Sequence, residues 1–247
     1  MGEEYDRKMF SETVDITTAT SDYASRFTGA IGEYFLQRQT ETTLSLLSDL
    51  PKAKVLDVGG GHAQLAEPLV KNGFDVTVTG SDDSCKKRLI QQIPQVDFEY
   101  TTCDYLHLPF VDRSFDVVIA FRLLSHVENW PRLIAELTRV AKHCVIFDYT
   151  DKRSMNILYN QFFELKKKME GETTRPFNIY NRAEIKRELK DNGFQSPSLR
   201  PQYFCPMVLH RRLNNPRLTA VAESGFLYTG LTRVLGSPII VRSNRLG

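Results

Sequence analysis

The chain has 247 residues, of which 41% are hydrophobic and 25% charged, with a formal net charge of +2. That is enough for one α/β domain with a real core and short for two. No apolar run approaches the ~20 residues of a membrane span, and the charged stretch from Met1 to Lys8 lacks an apolar signal segment. The cysteines at 85, 103, 144 and 205 form no C-x-x-C, so a reduced, cytoplasmic chain without a cysteine metal site is expected.

Residues 1–22 are polar and Thr-rich and read as a mobile lead-in. From 23 to 50 the pattern turns helical, with Ile31, Tyr34, Phe35, Gln39, Leu44 and Leu47 near i, i+3, i+4 spacing, and Pro51 stops it. Residues 55–58 read as a first strand. Residues 64–72 read as a helix closed by Gly73, with Pro68 bending it or delaying its start. A second strand is expected at 76–79, a helix at 84–92 capped by Asp82 or Asp83, and a third strand at 97–101. The apolar run 115–121, interrupted only by Asp116, marks a strand buried on both faces, followed by a helix at 131–142 and a strand at 144–149. Beyond 150, Met155, Leu158, Tyr159, Phe162 and Leu165 form an apolar helical stripe. Asn181 and Glu184 resemble a capping box for a helix ending near Gly193. Last strands are expected at 198–204 and 239–242, with a helical insertion at 207–235 between them. Short βα alternation through 150 predicts a doubly wound, mostly parallel α/β sheet, and the two last strands bring it to seven.

The stretch Asp57-Val58-Gly59-Gly60-Gly61-His62-Ala63 stands between the first strand and the next helix. Glycines there let the chain take positive φ and let a ligand approach the main chain. Two cradles compete. The dinucleotide fingerprint G-x-G-x-x-G fits Gly59 and Gly61 but meets Gln64 at its third glycine. The acidic-x-G-x-G-x-G loop fits Asp57, Gly59 and Gly61, with Ala63 in the last glycine's place.

Four features in order carry a resemblance. They are the run from Val55 to Gly61; Cys103-Asp104 with Leu108-Pro109-Phe110; Ser114-Phe115-Asp116-Val117-Val118-Ile119; and Leu123-Leu124-Ser125-His126-Val127 with the helix that runs from Arg132 to Val140. Over about 52–150 the chain resembles class I S-adenosylmethionine-dependent methyltransferases of the small-molecule type that includes the ubiquinone and menaquinone biosynthesis enzymes. The resemblance implies a Rossmann-like fold, with an N-terminal helical lid (1–50), a cofactor-binding core (51–150), and a remainder (151–247) carrying helical insertions at about 151–180 and 205–235 that roof the acceptor.

The resemblance also implies roles. Asp57 braces the turn, and Gly59, Gly60 and Gly61 approach the methionine half of S-adenosyl-L-methionine. Asp104 takes the adenine amino group, with Tyr105 offering a backbone N–H. Phe121 and Arg122 lie beside the sulfonium, and Arg26 pairs with the cofactor carboxylate. The acid that the family places at the end of strand two to bind the ribose is absent. The slot falls on Gly80 or Ser81, with Asp82 one step late, so ribose contact is expected from Ser81, Asp82 or water. The family's Pro-Gly turn before strand five is also missing.

Transfer from a sulfonium needs mostly positioning, and a base only for a weak acceptor. His126, after strand four, is the first candidate base; Asp148 and Tyr149, ending strand five, are the others. Residues 200–247 hold seven arginines and one acid, Glu223. With an aromatic lid, that suits a small-molecule or glycan acceptor, possibly anionic, and not nucleic acid. O-methylation is the leading reading. Carbon or nitrogen acceptors, or an inactive cofactor-binding module, are the alternatives.

Overall fold

The computed structural model describes residues 10–94, 98–154 and 178–247. Seven strands form one sheet in the order β3-β2-β1-β4-β5-β7-β6. They are β1 (Lys54–Val58), β2 (Asp75–Gly80), β3 (Glu99–Thr102), β4 (Phe115–Ala120), β5 (Ala141–Tyr149), β6 (Ser198–Tyr203) and β7 (Ser237–Asn244). β1 to β5 are parallel, and β7 runs antiparallel to both β5 and β6. The expected doubly wound fold is therefore present. The strand order reverses between β1 and β4, and such a switch point opens a crevice at the carboxyl ends of the strands.

The helices are α1 (Val14–Thr18), α2 (Ser21–Ser25), α3 (Gly29–Leu46), α4 (Ala66–Lys71), α5 (Lys86–Gln92), α6 (Trp130–Val140), α7 (Arg182–Asp191), α8 (Met207–Leu213), α9 (Pro216–Tyr228) and α10 (Leu231–Leu235). Strand side chains alternate between two cores. Leu56, Val118, Val145 and Phe147 meet Leu133, Leu137, Ile185 and Leu189 of α6 and α7. Val55, Val78, Ile119 and Ile146 meet Leu46, Leu65, Leu69 and Leu89 on the α3–α5 side. Each such side chain, fully buried, contributes about 1.5–3 kcal/mol, so the two-sided sheet dominates the stability.

Local chemistry explains the boundaries. Pro68 stands in the first turn of α4, where no N–H is needed, so it delays the helix without bending it. Asn129 caps α6 and Pro131 fills its first turn. The main chain then passes from Val140 straight into β5, as the missing Pro-Gly turn implied. The Asn181 N–H donates to Glu184 Oε2 at 2.8 Å, which starts α7, and Gly193 at φ +78° ends it. The stretch 207–235 is three helices, broken at Asn214 (φ +45°) and Gly230 (φ +81°).

The lead-in needs correction. Residues 14–18 and 21–25 are helical, and Val14, Asp15 and Thr18 are buried. The segment is tied down across the crevice. The Val14 N–H donates to the Tyr105 hydroxyl at 3.1 Å, and Glu12 Oε1 accepts from the amides of Glu128 and Asn129. The single helix expected from 23 to 50 breaks at Thr28 and Gly29, where Gly29 takes φ +72°. The stripe from Met155 to Leu165, the aromatics Phe162 and Phe177, and most of the insertion at 151–180 lie outside the described residues.

The C-terminal arginines serve the fold in several places. Arg242 pairs with Asp49 at 2.5 Å, and Arg245 donates to the carbonyl of Ala141. Arg182 joins buried Asp151 at 2.6 Å and donates to the carbonyls of Arg233 and Val234. In the insertion, Glu223 accepts from the amides of Phe204 and Cys205 and from His210 Nε2 at 2.9 Å.

Candidate cofactor site at the carboxyl ends of the strands

β1 ends at Val58, and the chain turns immediately into a 3-10 segment, Gly60–His62. Gly59 takes φ +73° and its N–H donates to Thr79 O of β2 at 3.0 Å. A Cβ on Gly60 would lie 2.3 Å from Asp57 Oδ2, and one on Gly61 would lie 2.9 Å from Cys85 Cβ. Both positions need glycine because neighbours fill the space. Ala63 takes φ +60°, so the one departure from the glycine pattern sits in the left-handed region and carries strain there.

Asp57 is fully buried, and neither of its carboxylate oxygens has a hydrogen-bond partner. Burial raises its pKa from 3.8 to about 7. A buried carboxylate without a donor is costly unless something pairs with it. A cationic or N–H-bearing ligand on the glycine turn would supply that partner.

Asp104 follows β3. Its Oδ1 accepts from the Leu106 N–H at 2.8 Å and its Oδ2 lies 3.0 Å from His107 Nδ1, which shapes the turn. The Tyr105 ring is fully buried. The loop that follows is held by Arg139, which donates to the carbonyls of Leu108 and Phe110 and to Glu136.

A family model described as a methyltransferase domain matches residues 32–198. The chain belongs to that family. Phthiotriol/phenolphthiotriol dimycocerosates methyltransferase of Mycobacterium tuberculosis is 34% identical over 114 residues, 44% of this chain and 41% of the relative. The ubiquinone/menaquinone biosynthesis C-methyltransferase of Desulfotalea psychrophila is 30% identical over 132 residues, 50% of this chain and 52% of the relative. The chain thus spans about half the length of these relatives. Among solved structures, magnesium protoporphyrin IX methyltransferase from Synechocystis PCC 6803 with bound SAH superposes with TM-score 0.63 at 17% identity, covering 94% of this chain and 99% of that one. The cofactor of this class I methyltransferase fold is S-adenosyl-L-methionine. The orphaned Asp57 carboxylate and the two glycines without room for a Cβ fit it.

At the end of β4 of this methyltransferase fold, Phe121 is buried in the α3–α5 core and Arg122 takes φ +57°. The Arg122 guanidinium stacks 3.9 Å from the Phe27 ring centroid and donates to Gln39 Oε1 at 2.8 Å, with Nη1 left unpaired. Its main-chain N–H donates to Asp148 Oδ1 at 2.6 Å. Burial raises the Asp148 pKa, and the Arg122 N–H only partly offsets that. Beside Arg122, His62 is held neutral, its pKa lowered to about 3 by burial and by that guanidinium.

Asp148 and Tyr149 share the rim but not a face. Tyr149 points into the α6–α7 core, where its ring meets Tyr180 edge-on, and its hydroxyl is unpaired. His126 ends a 3-10 turn (Leu124–His126) after β4 and is half-buried. Arg26 is exposed, 5.2 Å from the Tyr23 ring centroid. At the end of β2, Asp82 is exposed and its carboxylate accepts from the Ser84 N–H at 2.7 Å, starting the turn into α5. Ser81 is buried beneath α1, where its N–H donates to Asp15 Oδ2 at 2.6 Å and its hydroxyl donates to Oδ1. Sequence reading passed over Asp15 and Gln39, and expected Phe27 only to pack. The only signal for Asp15 was its place between the apolar Val14 and Ile16 in an otherwise polar stretch.

Proposed function

We propose that the chain transfers a methyl group from S-adenosyl-L-methionine to an oxygen of a small-molecule or glycan acceptor. The observation that carries this reading is the buried, donorless Asp57 carboxylate under a glycine turn at the switch point of the sheet. When bound, the cofactor supplies an electrophilic methyl group on a sulfonium, open to in-line displacement.

The chain's residues then divide the work. Asp57 faces the cationic amino end, and Gly59, Gly60 and Gly61 let the main chain come close. Asp104 keeps a carboxylate at the end of β3 for the adenine amino group, with Tyr105 beside it. Arg122, with an unpaired buried Nη1, receives a carboxylate. Asp148 takes the acceptor's hydroxyl proton. Its raised pKa brings it nearer to neutrality, which a general base needs. His126 is the second base on the same rim.

The anionic character of the acceptor is supported by the excess of arginine over acid in residues 200–247. Among the described residues, no helix is long and apolar enough to cross a membrane. Carbon methylation is the second reading, favoured by the relative named a C-methyltransferase.

The test is incubation with isotopically labelled S-adenosylmethionine and a panel of phenols, hydroxy acids, quinols and glycosides. Product NMR then locates the new methyl group. Label on oxygen supports the proposal and label on ring carbon replaces it with the second reading. Cofactor binding without product across the panel leaves a binding module.

A further inference from the structure

α9 carries its apolar side chains outward. A surface helix ordinarily buries its apolar stripe and exposes its polar one. In α9 the buried positions are Thr219 and Glu223, whereas Leu218 and Val221 are 58% and 72% exposed and Tyr228 is 94% exposed. The flanking helices follow suit. Leu209 and Leu213 of α8 and Leu231 and Val234 of α10 are exposed, while His210 and Thr232 are buried. Eight of the eleven large apolar side chains that stand exposed among the described residues fall in 207–235, so the exposure is concentrated in one insertion. Apolar surface gathered in this way marks an interaction site, which singly scattered residues would not.

The packing holds the insertion in that orientation. Glu223 accepts from the amides of Phe204 and Cys205 and from His210 Nε2, and Thr219 Oγ1 lies 3.2 Å from His210 Nδ1. Phe226 stacks on Phe204 with 4.5 Å between ring centroids. Turning α9 to hide Val221 would strip the partners from a buried carboxylate and a buried imidazole, which costs more than hiding one valine gains.

Charge decides what covers the face. Arg212, Arg217 and Arg233 are exposed, each next in sequence to an exposed apolar residue (Leu213, Leu218 and Val234). None of the three enters an ion pair among the described residues. Glu223 is the one acid in 200–247, and it is buried. The face is therefore apolar and cationic together. A second copy of the chain seated on it by a two-fold contact would bring arginine onto arginine. An anionic bilayer matches both halves, with acyl chains for the apolar side chains and headgroups for guanidinium groups that snorkel to them. Tyrosine favours the same boundary. Helices of 7, 13 and 5 residues can lie in that interface but are too short to cross it.

We propose that the outer face of α8–α10 docks the protein on an anionic membrane surface. Leu218, Val221 and Tyr228 enter the headgroup boundary, and Arg212, Arg217 and Arg233 pair with lipid phosphates. The docked helices lie close to the crevice, since the Arg211 guanidinium of α8 stands 5.6 Å from the Phe27 ring centroid and Arg122 covers that ring from the end of β4. Docking does not depend on the methyl-transfer reading; on that reading, it brings apolar acceptors to the crevice from the bilayer.

Flotation of the full chain with vesicles of phosphatidylcholine, alone or mixed with phosphatidylglycerol, tests it. Binding to the mixed vesicles is expected to be tighter by about fivefold per engaged arginine, so roughly 100-fold in all. Added salt should weaken it. Leu218→Ser with Val221→Ser is expected to weaken binding to the mixed vesicles by about tenfold or more. Arg212→Gln with Arg217→Gln and Arg233→Gln is expected to remove the preference for anionic lipid. All five side chains are exposed, so melting temperatures should stay near wild type. No binding to the mixed vesicles overturns the proposal. So does binding that the Leu218 and Val221 substitutions leave unchanged, which places the contact elsewhere. A dimer in sedimentation that Val221→Ser dissociates, without vesicle binding, gives the face to a second copy instead. Should either variant fail to fold, wild-type binding that is equal on the two vesicle types, or indifferent to salt, is fatal on its own.

Discussion

Gly60 stands directly over the Asp57 carboxylate, so that a Cβ at Gly60 would come within 2.3 Å of Oδ2 and 2.4 Å of the carboxyl carbon. The turn therefore closes over a charge that has no donor of its own. The carboxylate is fully buried and cannot step aside. Gly60→Ala is expected to cost about 1–3 kcal/mol, the range for overpacking a tight site. It should also abolish S-adenosylhomocysteine binding. Thermal melts and calorimetry on the one variant check both. A variant as stable as wild type that binds normally would show that the turn has room.

Asp57 makes stability depend on pH with a definite sign. Its folded pKa, about 7, lies above the ordinary 3.8, so the folded state holds the proton that the unfolded chain gives up. Stability is then lost as pH rises from about 4 to about 7, by about 4 kcal/mol at most. Asp57→Asn removes the titration. The melting temperatures of variant and wild type should diverge across that window in the variant's favour and run parallel above it. Bound S-adenosylhomocysteine should narrow the gap in wild type. A gap that is constant between pH 4 and 7 contradicts the burial argument.

Ala63 is the one residue of the turn whose side chain works against its backbone, at φ +60°. Ala63→Gly relieves a strain of roughly 1–2 kcal/mol and gives back part of it as chain entropy. The net expectation is a gain of about 0.5–1 kcal/mol, or a rise in Tm of roughly 1–4 °C for a chain of this size.

Glu136 is the buried acid that does have partners. It accepts from the Leu108 N–H at 2.8 Å and from Arg139 at 2.7 Å and 3.0 Å, which holds the loop after β3. Burial alone would raise its pKa, but Arg139 and the Leu108 N–H more than offset that and leave it lowered from 4.5. Its stabilisation is therefore present above pH 4.5 and lost as pH falls through the folded value. Glu136→Gln should cost about 3 kcal/mol at pH 7, as when one partner of a buried pair is removed. Denaturant titrations should show that difference shrinking in acid.

Asp148 carries the proposed proton transfer. Asp148→Asn keeps an acceptor for the Arg122 N–H, so cofactor affinity should stay within about threefold, while turnover should fall about 10²- to 10⁴-fold. The wild-type rate should rise with pH through an Asp148 pKa above 3.8, and the variant should lose that limb. Retained turnover would pass the role to His126.

The sheet was legible because its signals are local. A strand buried on both faces must be apolar along its buried length, as 117–120 is, and a turn with Cβ-free positions must be glycine, as 59–61 is. The helix start at Asn181 could be read for the same reason, since a cap acts within three residues. What lay beyond reading was any contact made at a distance along the chain. Asp15 and Ser81 are 66 residues apart, Arg122 and Gln39 are 83 apart, and no periodicity links either pair. The polar, Thr-rich lead-in looked solvated because hydrophobic patterning is blind to a charge buried against a strand end. So the chain by itself determined the layers and the glycine turn, each a consequence of side-chain size and burial over a few neighbours. Only the tertiary structure decided which acids share the crevice, because placing a carboxylate at the end of β2 from α1 depends on packing and not on proximity in sequence.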